Sequence, residues 1–387
     1  MTRQITVFGA TGSVGTSTLN LVREHPDKFS VFGLTAHQDT QKLAELVAEF
    51  SPRYAVISNP EMYGKARDAL AELPADQMKT ELLCGRDGLD ELARLPVDLV
   101  IAAIVGLAGL SSVLAAVKAG QTIALANKES LVSAGHIVMP AARSHDATIL
   151  PIDSEHNAIF QCLRSENPQN IRKIILTASG GPFRSYAQAE LASVTAEQAV
   201  KHPNWQMGAK ISVDSASLMN KGLELIEAFW LFDRPATDID AVIHPQSVVH
   251  GMVGYCDGSW LSHMGIADMR VPISYALGYP ERLSWSSPPF DISGQSLEFS
   301  AIDTDKFPCF AYAKSVIGTN PANAVILNAA NEVAVAQFLK GRIGFMDIAR
   351  LVGDALNLDW SENNLSTLDG ITALDRRVRD HSLASLS

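Results

Sequence analysis

Gln4-Ile5-Thr6-Val7-Phe8 runs directly into Gly9-Ala10-Thr11-Gly12-Ser13-Val14-Gly15, and a helical pattern follows from Thr16 to Arg23. An apolar strand, a turn with glycine at every third position and a helix start form one unit with a physical purpose. Glycines at 9, 12 and 15 let the backbone turn tightly and approach a pyrophosphate, which would rest on the N–H groups at the head of the helix. The competing reading is a glycine-rich turn that holds no ligand. Context favours the dinucleotide reading, because the motif lies between a strand and a helix as that fold requires. The next strand, Phe29-Ser30-Val31-Phe32-Gly33-Leu34-Thr35-Ala36, ends in His37-Gln38-Asp39. Asp39 falls where an acid takes the ribose 2′-hydroxyl of NAD. No Arg or Lys follows to grip a 2′-phosphate, so the choice between NAD and NADP is poorly specified.

Working outward, strand and helix signals alternate to about residue 150. Tyr54-Ala55-Val56-Ile57, Val97 to Ile104 and Thr122-Ile123-Ala124-Leu125-Ala126 are each followed by a helical stretch. That alternation implies a parallel sheet with right-handed crossovers. Arg172 to Ala178 and Ala241 to His244 read as strands of a second α/β region. Residues 284–296 are rich in Ser, Pro and Gly and read as a linker, while Ala322 to Lys340 and Phe345 to Leu356 read as Ala- and Leu-rich helices. The expected fold class is α/β: an N-terminal Rossmann-like parallel sheet over 1–150, a central α/β catalytic domain over 151–283 with a lid at about 179–208, a linker over 284–311, and a small C-terminal helical domain over 312–387. No internal repeat is visible.

Composition narrows the function classes. A chain of 387 residues with 47% hydrophobic content can bury more than one core. Its formal charge of −11 argues against a nucleic-acid or anionic-membrane surface, so an anionic substrate would need a local basic pocket. Cys84, Cys162, Cys256 and Cys309 show no paired spacing, which argues for a reducing cytoplasm rather than a disulfide framework or zinc knuckle. The first strand starts almost at Met1, leaving no room for a signal or transit peptide. The longest apolar run, Leu99 to Leu110, is short of the ~20 residues that span a bilayer.

Four segments carry chemistry. In the first, the apolar run Ala147 to Ile152 ends in Asp153-Ser154-Glu155-His156-Asn157. Residues two apart in an extended segment face the same way, so Asp153 and Glu155 can converge on one point beyond the strand, the ligand end of an open α/β sheet. Carboxylates without thiolates suit Mg²⁺ or Mn²⁺ better than zinc; a solvated acidic turn is the alternative. Second, Ala126-Asn127-Lys128-Glu129-Ser130 ends another sheet strand, where the Lys128 ammonium could reach cofactor and substrate or simply pair at the surface. Third, Ala178-Ser179-Gly180-Gly181-Pro182-Phe183-Arg184 leads to His202-Pro203-Asn204-Trp205-Gln206-Met207-Gly208. Glycines at one end and a tryptophan at the other suggest a closing lid, against a plain core role for Trp205 and Met207. Fourth, Val213 to Glu227, read as one helix, sets Asn220 and Glu224 on one face with Lys221 adjoining. Ser215, Asn220 and Lys221 are donors suited to a phosphoryl group. Glu224 could complete the metal site, but spacing alone does not prefer it to Glu227.

Taken in order, Gly-Ala-Thr-Gly-Ser-Val-Gly, Ala-Asn-Lys-Glu-Ser, Ile-Asp-Ser-Glu-His-Asn-Ala, Ala-Ser-Gly-Gly-Pro-Phe-Arg, His-Pro-Asn-Trp-Gln-Met-Gly, Met-Asn-Lys-Gly-Leu-Glu, His-Pro-Gln-Ser-Val-Val-His (244–250) and Asn-Ala-Ala-Asn-Glu-Val-Ala (328–334) span nearly the whole chain. In these motifs the chain resembles the 1-deoxy-D-xylulose 5-phosphate reductoisomerase family. The resemblance implies an NADPH-dependent enzyme that converts 1-deoxy-D-xylulose 5-phosphate to 2-C-methyl-D-erythritol 4-phosphate in non-mevalonate isoprenoid synthesis, a cytoplasmic homodimer. It implies Asp153, Glu155 and Glu224 as ligands of Mg²⁺ or Mn²⁺, thereby choosing Glu224 over Glu227. It implies substrate contacts from Lys128, Ser154, Glu155, Ser179, His202, Ser215, Asn220, Lys221 and Glu224, with Lys128 and His202 at the chemistry. Cofactor contacts are implied at Thr11, Gly12, Ser13, Val14, His37, Gln38, Asp39, Asn127, Glu129 and Gly208. Many relatives read Ala-Gly-Lys-Asn where this chain reads Ala36-His37-Gln38-Asp39, so a basic residue is lost and an acid gained. Two rival functions share the first 130 residues: a simple NAD(P)-dependent or semialdehyde dehydrogenase, the latter needing an activated cysteine that no cysteine setting here suggests, and a non-catalytic dinucleotide sensor.

Overall fold

The structure is a computed structural model and describes residues 2–74, 79–205, 207–360 and 364–386. Its contacts divide the chain into two compact units, one formed by residues 1–130, 138–154 and 269–287 and the other by 131–137, 155–268 and 288–387.

The first unit is built on β1 (Arg3–Phe8), α1 (Ser13–Glu24), β2 (Phe29–Ala36), α2 (Thr40–Phe50), β3 (Tyr54–Ile57), α3 (Tyr63–Ala71), β4 (Glu81–Cys84), α4 (Gly85–Arg94), β5 (Leu99–Ala102), α5 (Leu110–Lys118), β6 (Thr122–Leu125) and β7 (Thr148–Pro151). Its sheet has the order β4-β3-β2-β1-β5-β6-β7, and every pairing is parallel. Tyr-Ala-Val-Ile of β3 and Leu-Val-Ile-Ala of β5 are buried at every position, as expected of strands covered by helices on both faces. Strand order reverses between β1 and β5, the topological switch point at which doubly wound sheets bind ligands beyond their strand ends. The fold is therefore α/β with a Rossmann-like parallel sheet. β4 was not expected from sequence, because Glu-Leu-Leu-Cys is short and none of its residues is buried. Residues 269–287 join this unit through particular bonds: Arg3 Nη1 donates to Leu277 O at 2.7 Å, and Glu24 accepts from Ser286 N and Oγ at 2.9 and 2.8 Å.

Between β6 and β7 runs α6 (Glu129–Ser144), whose backbone leaves helical geometry at Ala134 (φ −138°, ψ 15°). After β7 comes α7 (Ser154–Cys162).

The second unit holds β8 (Ile171–Ala178), α8 (Ala196–Ala199), α9 (Ala209–Ala216), α10 (Met219–Phe232), β9 (Ile239–Ile243), β10 (Val249–Tyr255) and β11 (Trp260–Met264). Its sheet runs β11-β10-β8-β9, with β8 and β9 parallel and the other pairs antiparallel. β10 and β11 carry too many Gly, His and Ser residues to show apolar alternation, and they went unread in the sequence. The intervening α11 (Arg270–Gly278) belongs to the first unit. Then follow α12 (Pro308–Val316), α13 (Pro321–Leu339), α14 (Phe345–Leu356) and α15 (Leu368–Ala384). The single helix expected over 213–227 is corrected to two. Leu218 takes a left-handed conformation (φ 57°, ψ 11°), which stops α9 and restarts the chain as α10. No described helix is long and apolar enough to cross a membrane.

Candidate functional site

In the first unit, β1 delivers Gly9 with φ +80°, and Gly9 N and Ala10 N donate to Thr35 Oγ1 and Thr35 O, each at 2.8 Å. A Cβ at Gly9 would lie 2.6 Å from Ala103 O, and one at Gly15 would strike the Gly9 carbonyl. Both glycines are thus required by close backbone approach. Gly12 is the N-cap of α1 and makes no side-chain cap, so the helix-start N–H groups around Thr11, Ser13 and Val14 have no side-chain acceptor from the cap.

At the end of β2, His37 Nδ1 lies 2.9 Å from Ser58 Oγ, and Gln38 is exposed. Asp39 caps α2, accepting from Lys42 N at 3.0 Å. Its carboxylate therefore has a structural partner that the ribose reading did not foresee. Lys42 stands three residues on, but its ammonium is 3.0 Å from Glu45 Oε2.

Neighbouring strands β6 and β7 end side by side, and this brings Lys128 Nζ to 2.5 Å from Asp153 Oδ2. Glu129 is buried in the first turn of α6. Asn127 donates to Gly106 O at 2.8 Å and also to Ile104 O, while its Oδ1 accepts from Ser130 N at 2.8 Å and from the Ser130 hydroxyl. The side chain clamps the β5 loop; sequence placed it only as a cofactor contact.

The geometry expected of Asp153-x-Glu155 is corrected. β7 stops at Pro151 and α7 starts at Ser154, so Asp153 precedes a helix and Glu155 sits in its first turn, not in an extended strand. Asp153 Oδ1 accepts from Ser154 N at 3.0 Å, and Ser154 is buried.

In the second unit, Glu155 Oε1 lies 2.7 Å from Lys221 Nζ, and the same ammonium bonds Glu224 Oε2. Asn220 Nδ2 donates to Glu224 Oε1 at 2.5 Å. Sequence reading put Lys221 among phosphate donors, whereas here its ammonium bridges two carboxylates. Burial acts to lower the Lys221 pKa, but the charges of Glu155 and Glu224 outweigh it and hold the group above the ordinary lysine range.

One turn further along α10, Glu227 Oε2 faces His156 Nδ1 at 3.3 Å, and His156 Nε2 donates to the Glu224 carbonyl at 2.8 Å. Both side chains are almost wholly buried. Glu224 and Glu227 thus have different neighbours: the first shares Lys221 with Glu155, and the second faces a buried histidine. The sequence pattern does not assign His156 this role, although its position directly after Glu155 is a signal.

His202 Nδ1 accepts from Asn204 N at 3.2 Å and Trp205 N at 2.9 Å. Its proton must then sit on Nε2, which donates to Ser179 Oγ at 2.8 Å. Gly181 N donates to the same Oγ at 3.1 Å. With both lone pairs of Ser179 Oγ engaged, its O–H proton is left to point at some other acceptor. Burial lowers the His202 pKa to about 4, so the ring is neutral near pH 7. Asn204 Nδ2 ties this segment to Pro245 O and Ser247 Oγ, both at 2.8 Å, and the Trp205 ring lies 6.2 Å from that of His250. Gln206 lies outside the described residues. Gly208 is the exposed N-cap of α9, and Ser215 lies near that helix's end. A Cβ on Gly181 (φ +65°) would lie 2.7 Å from Ser215 O, so the Ser179 loop rests directly on the backbone of Ser215.

A dinucleotide-type turn at a parallel-sheet switch point, with a separate acidic site rich in oxygen donors, defines an α/β oxidoreductase of the dinucleotide-binding class. Three family models match the chain: 1-deoxy-D-xylulose 5-phosphate reductoisomerase over residues 5–135, its C-terminal domain over 149–232, and a further C-terminal domain model over 264–381. The chain belongs to the 1-deoxy-D-xylulose 5-phosphate reductoisomerase family. It is 51% identical to the Ralstonia pickettii reductoisomerase, covering 98% of this chain and 96% of the relative, and 49% identical to that of Cupriavidus metallidurans, covering 99% and 98%. Among solved structures, a DOX-P reductoisomerase in complex with NADPH, fosmidomycin and magnesium superposes with a TM-score of 0.93 at 43% identity, covering 99% of this chain and 98% of that one. The Zymomonas mobilis enzyme in complex with NADPH superposes at 0.92 and 44%, with full coverage of both chains.

Proposed function

We propose that this protein converts 1-deoxy-D-xylulose 5-phosphate to 2-C-methyl-D-erythritol 4-phosphate, using NADPH and Mg²⁺ or Mn²⁺. The observation that carries the reading is the Glu155–Lys221–Glu224 cluster, with Lys221 and Glu224 buried and Glu155 half-buried, in a chain of this family. Two carboxylates already gathered around one cationic centre are the donor set a hard divalent ion takes, and Asp153, two residues before Glu155, supplies a third oxygen donor by the family pattern. When bound, the metal would supply Lewis-acid polarisation of the substrate oxygens, and NADPH would supply hydride. The glycine turn fits NADPH, since side chains at Gly9 and Gly15 would collide with backbone.

This chain's own groups then have separable tasks. Lys128, on Asp153, offers positive charge at the reacting oxygens. Ser179, with its proton turned outward by His202 and Gly181, donates to the substrate phosphate together with Ser215 and Asn220. Lys221 is shared between the carboxylates and the substrate, and released from the former it can meet the latter's negative charge. The segment bearing His202 and Trp205 excludes water from the rearranging carbons.

The protein acts as a homodimer in this proposal. β11 is the edge of its sheet, and Trp260 and Leu261 on it, with Phe290, Ile292 and Phe299 further along, are exposed apolar side chains that a second copy would cover. Four free thiols suit the cytoplasm.

The test follows NADPH absorbance after adding the phosphosugar. Oxidation must cease with EDTA, return with Mn²⁺, and yield a branched polyol phosphate; metal-independent oxidation would leave a simple dehydrogenase.

A further inference from the structure

The motif Asn-Ala-Ala-Asn-Glu-Val-Ala on α13 supplies none of the groups assigned above, yet one of its residues touches the corner that holds several of them. Asn331 is fully buried, and its Nδ2 donates to Asp214 Oδ1 at 2.8 Å across 117 residues of sequence. Asp214, only 1% exposed, has its other oxygen 2.8 Å from Lys210 Nζ, one turn back on α9. The carboxylate is shielded from water. Burial, with the negative charge of Asp214 beside it, pushes the Cys309 thiol up to about 12.

Asp214 immediately precedes Ser215. Beyond them, Ser217 Oγ donates to Asp214 O at 3.3 Å, Leu218 makes the left-handed turn, and α10 opens with Asn220 and Lys221. The Ser179 loop sits on the same corner through Gly181. A buried carboxylate with one donor removed is costly and will shift to find another. The helix that carries it would shift too, and Ser215 with it.

We infer that Asn331 is a positioning residue: through Asp214 it fixes the α9–α10 corner, and with it the donors for the substrate phosphate, from the C-terminal helices. This rests on the reading that Ser215 and its neighbours hold that phosphate. Asn331 is fully buried and bonds Asp214 rather than any group assigned above to the reaction, so its effect belongs to phosphate recognition rather than to chemistry in general.

The experiment compares kcat/KM for 1-deoxyxylulose 5-phosphate and for unphosphorylated 1-deoxyxylulose in the holoenzyme and in Asn331→Ala, with Asn331→Ser as a variant that keeps one short donor, and Ser215→Ala as a reference. Each is assayed below its own unfolding temperature, and NADPH affinity is titrated by fluorescence. Asn331→Ala should lower kcat/KM for the phosphosugar by about tenfold, the change that follows loss of one charge-assisted hydrogen bond. The unphosphorylated sugar and NADPH affinity should be unaffected, and Asn331→Ser should fall between. A purely structural role would lower the melting temperature and leave the ratio of the two sugars as in wild type, which overturns the inference; equal losses with both sugars overturn it as well. If Ser215→Ala discriminates between the sugars and the Asn331 variants do not, this inference alone fails. If Ser215→Ala does not discriminate, the phosphate reading fails and the inference with it.

Discussion

Replacing His202 by Phe keeps an aromatic ring in place and removes both nitrogens, and the structure sets the size of the effect. Lost are the Nε2–H bond to Ser179 Oγ at 2.8 Å and the acceptor for Asn204 N and Trp205 N. A neutral hydrogen bond between side chains contributes about 1 kcal/mol net, and an amide left without its acceptor costs at least as much where water is scarce. Asn204 is exposed and Trp205 half-buried, so solvent recovers part of the second loss. The sum is roughly 2 kcal/mol, a thirtyfold fall in kcat/KM for the phosphosugar. It should fall mainly on that substrate, because the hydroxyl freed to rotate is the one proposed to donate to the phosphate. The assay is steady-state NADPH oxidation with phosphorylated and unphosphorylated sugar in parallel, alongside His202→Asn, whose amide keeps a donor and an acceptor but on a shorter side chain than the imidazole. Equal rates for wild type and His202→Phe with the phosphosugar would refute the outward-pointing Ser179 proton.

The same histidine governs a pH effect: its pKa falls from 6.5 to about 4 on folding, so its contribution to stability is complete above pH 6.5 and is lost as pH falls toward 4, and acid unfolding of wild type should show a step there that His202→Phe lacks. Asp39→Ala removes the cap of α2 and should lower stability by about 1 kcal/mol in denaturant titration. Gln38→Lys should raise the ratio of kcat/KM for NADPH over NADH, by adding an ammonium for the 2′-phosphate; an unchanged ratio would show that residue 38 does not face that group. Trp260→Lys on the edge strand should shift sedimentation toward monomer, and an unaltered dimer would place the interface elsewhere.

The parallel sheet was legible because its strands are near-continuous apolar runs that follow or precede glycine turns, and β2, β3 and α14 have the bounds read from sequence. β10 was not legible because Val-His-Gly-Met-Val-Gly-Tyr lacks a clear period, nor was the break at Leu218, since nothing in Ser-Ala-Ser-Leu-Met-Asn announces a left-handed leucine. At the candidate site, residue types and order were readable and partners were not. Spacing could not separate Glu224 from Glu227, because one helical turn lies between them, and it could not show that Glu227 faces His156 while Glu224 meets Lys221. Nor could spacing show Lys221 lying on the carboxylates, or Asn331 reaching back to Asp214, a contact across 117 residues.

The central claim is that Glu155 and Glu224, gathered by Lys221, form a divalent-cation site. Mn²⁺ affinity, measured by the loss of the free-ion paramagnetic signal on titration with protein, tests it without turnover. Wild type should bind the ion, Glu155→Gln and Glu224→Gln should each bind it at least about a hundredfold more weakly, and Glu227→Gln, whose carboxylate faces His156, should lose far less. Undiminished binding in Glu224→Gln, or a loss in Glu227→Gln as large as in Glu155→Gln, would contradict the assignment.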